Sequence, residues 1–254
     1  MKYIGIIPAR YASTRFPAKP LAILGGKPVI QRVYEQVNGV LDDAVVATDD
    51  QRIFDAVEAF GGKVVMTSTE HRSGTDRCYE ALTKVGADNF DVVVNIQGDE
   101  PFIQPQQLEA VRDCFSDDSV DIATLVKPFT VADGFAALEN VNSPKVVVNK
   151  NMEALYFSRS IIPYMRGKEH DEWLPNHTYY KHIGLYAYRS DVLRQITSLP
   201  QGTLERVEWL EQLRWLENGF KIKVGISEIE TIGIDTPDDL ARAEEYLQNL
   251  IAKH

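Results

Sequence analysis

The first 126 residues alternate short apolar runs with amphipathic segments, and that alternation constrains the fold more than any other feature of the chain. Apolar runs at Tyr3–Pro8, Ala44–Thr48, Val64–Thr67, Val92–Ile96 and Ile122–Val126 read as strands. Between them, Lys27–Asn38, Gln51–Phe60, Thr75–Val85 and Gln106–Phe115 carry apolar residues at helical spacing. Pro28 suits a first helical turn, Gly61-Gly62 stops the second helix, and Thr75 reads as the cap of the third. Val92–Ile96 is apolar throughout, as a strand covered on both faces is. Strand–helix alternation of this kind predicts an α/β fold: a mostly parallel, Rossmann-like sheet with helices on both faces. Ligands of such sheets bind at the carboxyl ends of the strands, so the loops after Pro8, Thr48, Thr67, Ile96 and Val126 are where chemistry is expected.

The second half is less regular. Lys145–Asn149, Leu155–Ser158, Ile183–Tyr188 and Lys221–Ile226 read as strands, Leu204–Asn218 as one helix, and Pro237–Leu250 as a last helix capped by Asp235 or Thr236. Pro163–Tyr179 reads as a loop, either a lid or a dimer arm. The expected division is 1–130, 131–220 as a small mixed α/β portion, and 221–254 returning to the first part, with one domain over 1–254 as the alternative.

Composition narrows the classes. A net charge of −10 with one basic cluster, near the N-terminus, argues against a nucleic-acid coat. The two cysteines, Cys78 and Cys114, have no metal-ligand or redox spacing and read as buried thiols of a reducing compartment. No apolar run reaches membrane-spanning length and no signal peptide is evident, so a cytoplasmic protein is expected.

That basic cluster lies directly after the first strand: Pro8-Ala9-Arg10-Tyr11-Ala12-Ser13-Thr14-Arg15-Phe16-Pro17-Ala18-Lys19-Pro20-Leu21. Backbone N–H groups and three cations converging there suit a triphosphate, and an exposed basic loop is the plainer alternative. It is neither a GxxxxGK[ST] loop nor a GxGxxG turn, which argues against a dinucleotide-binding dehydrogenase. After the fourth strand comes Asn95-Ile96-Gln97-Gly98-Asp99-Glu100-Pro101, where Asp99 is either a turn residue or a Mg²⁺ ligand beside phosphate. Gly233-Ile234-Asp235-Thr236-Pro237 reads first as a helix cap.

The first loop resembles the signature of the CMP-Kdo synthetases, the 3-deoxy-manno-octulosonate (Kdo) cytidylyltransferases, through Ala-Arg-Tyr-Ala-Ser-Thr-Arg and Lys-Pro-Leu. Gln97-Gly98-Asp99-Glu100-Pro101 and the Ser73-Gly74-Thr75-Asp76-Arg77 run resemble further motifs of that family, and the resemblance runs essentially end to end. It implies transfer of CMP from CTP to Kdo, giving CMP-Kdo and pyrophosphate for lipopolysaccharide synthesis. It further implies Mg²⁺ on Asp99 and Asp235, and Arg10 and Lys19 as catalytic groups with them. CTP would meet Ala9, Arg10, Ser13, Arg15, Lys19, Thr67, Ser73, Gly74 and Gln97. The sugar would meet Arg77, Gln97, Arg159, His182, Tyr186, Glu211 and Gln212. A homodimer with residues around 150–190 at its interface is implied as well. Read without the resemblance, Glu205, Glu208 and Glu211 form a solvated helix face, and His182 is a structural histidine. A sister enzyme activating another acidic sugar, and a non-catalytic nucleotide-binding protein, are the rival readings.

Overall fold

The computed structural model describes residues 1–12, 15–229 and 233–251. In chain order the strands are β1 (Tyr3–Ala9), β2 (Ile23–Leu24), β3 (Lys27–Pro28), β4 (Asp43–Thr48), β5 (Val64–Met66), β6 (Val92–Asn95), β7 (Ile122–Pro128), β8 (Lys145–Val148), β9 (Ala154–Ser158), β10 (Tyr180–Arg189) and β11 (Ile222–Ile226). The α-helices are α1 (Val29–Val37), α2 (Gln51–Ala59), α3 (Gly74–Val85), α4 (Pro105–Asp113), α5 (Gly134–Glu139), α6 (Trp173–Asn176), α7 (Ser190–Thr197), α8 (Thr203–Glu208), α9 (Gln212–Glu217) and α10 (Pro237–Ile251).

The chain forms two compact units, Met1–Leu108 with Arg189–Thr197 and Thr231–His254, and Glu109–Tyr188 with Ser198–Glu230. The first crossover thus falls within α4, upstream of the change near residue 130 that composition suggested.

The first unit holds four parallel strands in the order β6-β1-β4-β5. The chain runs outward from β1 through β4 to β5 and then returns to the other side of β1 as β6. Between β1 and β6 the winding reverses, which is where such sheets bind ligands. Ile4, Ile6 and Ile7 of β1 and Val92, Val93 and Val94 of β6 are fully or almost fully buried, as strands covered on both faces require. Gly5 lets α1 approach closely, because a Cβ there would lie 2.5 Å from Val37 Cγ1. Pro8 is tolerated late in β1 because β6 pairs only with Tyr3–Ile6. Its carbonyl oxygen would lie 2.7 Å from a Cβ on residue 98, so only glycine lets the loop after β6 pass against the loop after β1.

In the second unit β11 and β7 pair in parallel, while β10 runs antiparallel to both β7 and β8, and β9 antiparallel to β8. Leu138, Trp173 and Tyr179 form a small core there, so the segment read as a loop contributes a buried anchor through α6. A second difference lies at residues 204–218. One helix was expected, yet α8 ends at Glu208 and Trp209 turns left-handed at φ 56°. Arg159 accounts for the break: its Nε donates to the Glu208 carbonyl (2.7 Å), satisfying a helix-end acceptor that a continuing helix would have used. The glutamates there are not a solvated face. Glu205 is buried against Arg214 (2.5 Å), and Glu208 accepts from the Ser158 hydroxyl and the Arg159 backbone N–H.

Candidate active site

The described part of the first loop is closed by a backbone bond from Ala18 N to Tyr11 O (2.9 Å), with Ala18 left-handed at φ 59°. That turn starts a 3₁₀ segment at Lys19, where Pro20 is readily accommodated. Lys19 Nζ reaches Asp99 Oδ2 at 2.5 Å and Asp235 Oδ1 at 3.1 Å. Arg15 Nη2 approaches the other oxygen of Asp235 at 3.2 Å. Burial alone would push the Lys19 ammonium down, but its pairing with Asp99 and Asp235 outweighs this and holds it above the ordinary lysine value. Lys19, expected as a catalytic group on the CTP phosphates, is therefore also the cation between the two carboxylates expected to share a metal. Spacing along the chain carries no signal for that.

Backbone bonding fixes the two acids beside each other. Ile234 N donates to the Asp99 carbonyl at 2.9 Å. Thr236 caps α10 in a reciprocal box with Asp239, and Asp239 also accepts from Asp235 N. The cap is thus Thr236, which leaves the Asp235 carboxylate turned to Lys19 and Arg15. One ammonium already satisfies both acids, so their hard oxygens stand within reach of a common cation, a donor set that suits Mg²⁺. No group of three or more His, Cys, Asp or Glu ligands occurs among the described residues. A Mg²⁺ here would keep waters or substrate oxygens as its other ligands.

A cavity of about 390 Å³ opens beside this pair. The first loop contributes Ala9, Arg10, Arg15 and Lys19 to its wall. Gly74 and Arg77 of α3, with Gln97 and Asp99 after β6, complete the part used here. Thr67 is buried, donating through Oγ1 to the Thr48 carbonyl, and it does not line the cavity. Ser73, not Thr75, caps α3, accepting from Asp76 N at 3.1 Å. Ser13 lies outside the described residues.

Arg77 is fully buried, and both terminal nitrogens are engaged, Nη1 with Thr67 Oγ1 at 2.5 Å and Nη2 with Asp49 Oδ2 at 2.6 Å. The guanidinium of Arg159 donates to the carbonyls of Glu208, Val141 and Trp209. Both arginines expected at the sugar are thus held by the protein itself, Arg159 by three carbonyls and Arg77 at its two terminal nitrogens, with Arg77 Nε left without a partner among the described residues.

The second unit gathers His182, Tyr186 and Glu211. The His182 and Tyr186 rings lie 5.3 Å apart, and Tyr186 meets Trp215 edge-on at 5.1 Å. Desolvation pushes the His182 imidazole down to about 3, so it is neutral near pH 7, with Nε2 at 3.1 Å from Thr124 Oγ1. Burial, with Tyr188 and Glu211 nearby, raises the Tyr186 phenol well above its ordinary range, and it stays protonated. The Tyr186 hydroxyl is buried and makes no well-formed hydrogen bond, although the Thr124 hydroxyl lies near it. Gln212 Nε2 is likewise buried without an acceptor. Buried polar atoms left in this way are costly unless a ligand or water meets them.

Comparison with known proteins bears on this geometry. The cytidylyltransferase family matches residues 4–224. The 3-deoxy-manno-octulosonate cytidylyltransferase of Phocaeicola vulgatus is 77% identical over 248 residues, covering 98% of each chain. That of Bacteroides thetaiotaomicron is 75% identical over 249 residues, covering 98% of this chain and 99% of the relative. A solved structure of CMP:2-keto-3-deoxy-manno-octonic acid synthetase complexed with CTP superposes with a TM-score of 0.89 at 41% identity, covering 98% of this chain and 99% of that one. A 4-diphosphocytidyl-2C-methyl-D-erythritol synthase from Anaerococcus prevotii, at 16% identity, TM-score 0.61 and coverage of 97% and 96%, shares the fold. The chain belongs to the 3-deoxy-manno-octulosonate cytidylyltransferase family.

Proposed function

We propose that the protein transfers the cytidylyl group of CTP to Kdo, forming CMP-Kdo and pyrophosphate as a precursor step of lipopolysaccharide synthesis. The observation that carries the mechanism is the meeting of Asp99 and Asp235 at Lys19 on the wall of the first-loop cavity. The anomeric hydroxyl of the sugar attacks the α-phosphate, the bond to pyrophosphate breaks, and the hydroxyl proton leaves to solvent. Arg10, Arg15 and Lys19 neutralise charge on the phosphates, Ala9 and Gln97 border the nucleotide, and the loop through Thr67, Ser73 and Gly74 faces the cytosine. Asp99 and Asp235 would hold Mg²⁺, which when bound supplies charge neutralisation and acidifies the attacking hydroxyl. His182, Tyr186, Glu211 and Gln212 would receive the sugar hydroxyls, and of these Tyr186 Oη and Gln212 Nε2 are buried with no well-formed hydrogen bond among the described residues.

Two further points belong to this reading. The second unit exposes Leu155, Val207 and Trp209, apolar side chains that support a homodimer. Both cysteines are buried and neither forms a disulfide, in keeping with a reducing cytoplasm. Among the described residues no helix is long and apolar enough to cross a membrane. The deciding experiment is pyrophosphate release from CTP and Mg²⁺ with Kdo, with sialic acid and with no sugar. Release with Kdo alone is expected; release only with sialic acid would move the protein to a sister activity.

A further inference from the structure

One face of α3 carries Arg77, Glu80 and Lys84, spaced i, i+3 and i+7, so all three project from the same side of the helix. Each holds a different residue of the end of β5 or the segment that follows it. Lys84 Nζ donates to the Met66 carbonyl at 2.6 Å and pairs with Glu80 Oε1 at 2.7 Å. Arg77 joins Thr67 Oγ1 to Asp49. Glu80 Oε2 accepts the Ser68 backbone N–H at 2.9 Å and also meets His71 Nε2. At the far end of the segment, the His71 carbonyl accepts from Arg10 Nη2, which ties it to the first loop.

The loop Thr67-Ser68-Thr69-Glu70-His71-Arg72-Ser73 has no aliphatic side chain to anchor it in a core. Its shape therefore depends on these hydrogen bonds. Arg77 cannot turn to a substrate carboxylate without leaving the Asp49 carboxylate, which is only 16% exposed, uncompensated. The Glu80 carboxylate shows the same commitment. Desolvation would raise its pKa, but Lys84, the Ser68 N–H and His71 prevail and hold it at about 2.

We propose that Arg77, Glu80 and Lys84 are positioning residues that hold the loop leading from Thr67 to Gly74, which reaches the cavity at Gly74, in place for reading the cytosine edge, and that Arg77 serves the nucleotide rather than the sugar carboxylate. The proposal rests on the reading that this loop faces the base. Cytosine and uracil differ in two donor–acceptor exchanges, at the group on C4 and at N3, and backbone groups discriminate them only if held in place.

The test compares E80Q, R77K and G74A in the full-length protein. R77K keeps the charge but loses the fork that spans Thr67 and Asp49. G74A acts on the loop itself: its Cβ would make ordinary contact with Pro8 Cγ at 3.5 Å, so it folds while narrowing the cavity wall. For each variant, KM and kcat are measured separately for CTP and Kdo, with the CTP:UTP ratio of kcat/KM and the melting temperature. E80Q and R77K are expected to raise the CTP KM roughly tenfold and to erode the CTP:UTP ratio, with the Kdo KM moving less than about twofold. A merely structural role would lower stability and impair both substrates together. A rise confined to the Kdo KM in R77K would make Arg77 a sugar ligand and overturn the proposal. If G74A alters CTP use while E80Q and R77K do not, the ladder is wrong and the base-facing loop stands. If none of the three alters CTP use, the base-facing loop fails as well.

Discussion

The two polar clusters of this protein are built on opposite principles. Around Lys19 every group is charged and already paired, with Asp99, Asp235 and Arg15 within 3.2 Å contacts and partly open to water. Around Tyr186 most groups are neutral and buried, with His182 held uncharged, Tyr186 Oη and Gln212 Nε2 unmet, and the Glu211 carboxylate beside them. Charged, hydrated ligands such as triphosphate and Mg²⁺ call for the first arrangement, because ion pairs exchange partners at little cost when water remains nearby. A sugar is recognised by its hydroxyls, and a dry site left with unmet donors rejects molecules that cannot supply the missing partner. On the proposed function, the contrast would give charge handling to one cluster and discrimination to the other.

Substitutions at the two clusters should therefore fail in different ways. The largest effect is expected for Asp99→Asn and Asp235→Asn, each lowering kcat on the order of a hundred- to a thousandfold while CTP binding, followed by calorimetry, persists. Near-normal turnover of either across a Mg²⁺ titration would remove the metal assignment. Lys19→Ala comes next. It should slow turnover and raise the CTP KM, and unchanged values of both would dismiss the first loop as a phosphate site.

Tyr186→Phe sharpens the comparison from the other side. It removes a hydroxyl without a well-formed partner, so the melting temperature should hold or rise while the Kdo KM climbs roughly tenfold. A lower melting temperature with unchanged Kdo KM would show the hydroxyl to be structural. The smallest effect concerns acid stability. The folded His182 pKa of about 3 lies below the free value of 6.5, so the unfolded chain binds the extra proton between these limits. Its contribution to stability is whole above pH 6.5 and falls as the pH drops toward 3. His182→Asn should flatten that part of the melting-temperature profile, and an unaltered slope would count against a neutral buried imidazole.

Much of the first cluster could be read from the chain because parallel α/β sheets place their loops in a predictable location. The strands ending near Ala9 and Asn95 brought Lys19 and Asp99 to one edge, as the alternation implied. What escaped the sequence is what depends on distant pairing. Arg77 finds Asp49 28 residues away, and no local pattern indicates that partner. Residues 204–218 keep helical periodicity throughout, yet Arg159 ends the first helix from 49 residues upstream. Ser73 was passed over as a cap because Ser73 and Thr75 are both competent, and Asp76 three residues after Ser73 completes the box that decides it. The Arg77, Glu80 and Lys84 spacing was visible, but only the loop they hold gives it meaning.

The bond from Ile234 N to the Asp99 carbonyl has a consequence for the order of events during synthesis. Lys19 and Asp235 are 216 residues apart, so all of that span must leave the ribosome before the second carboxylate arrives. Until then Lys19 can pair with Asp99, but a shared cation has only half its anchors. On the proposed function, nascent chains and fragments that stop before residue 233 should therefore be unable to draw on the cell's CTP, and turnover begins only after Asp235 has been made.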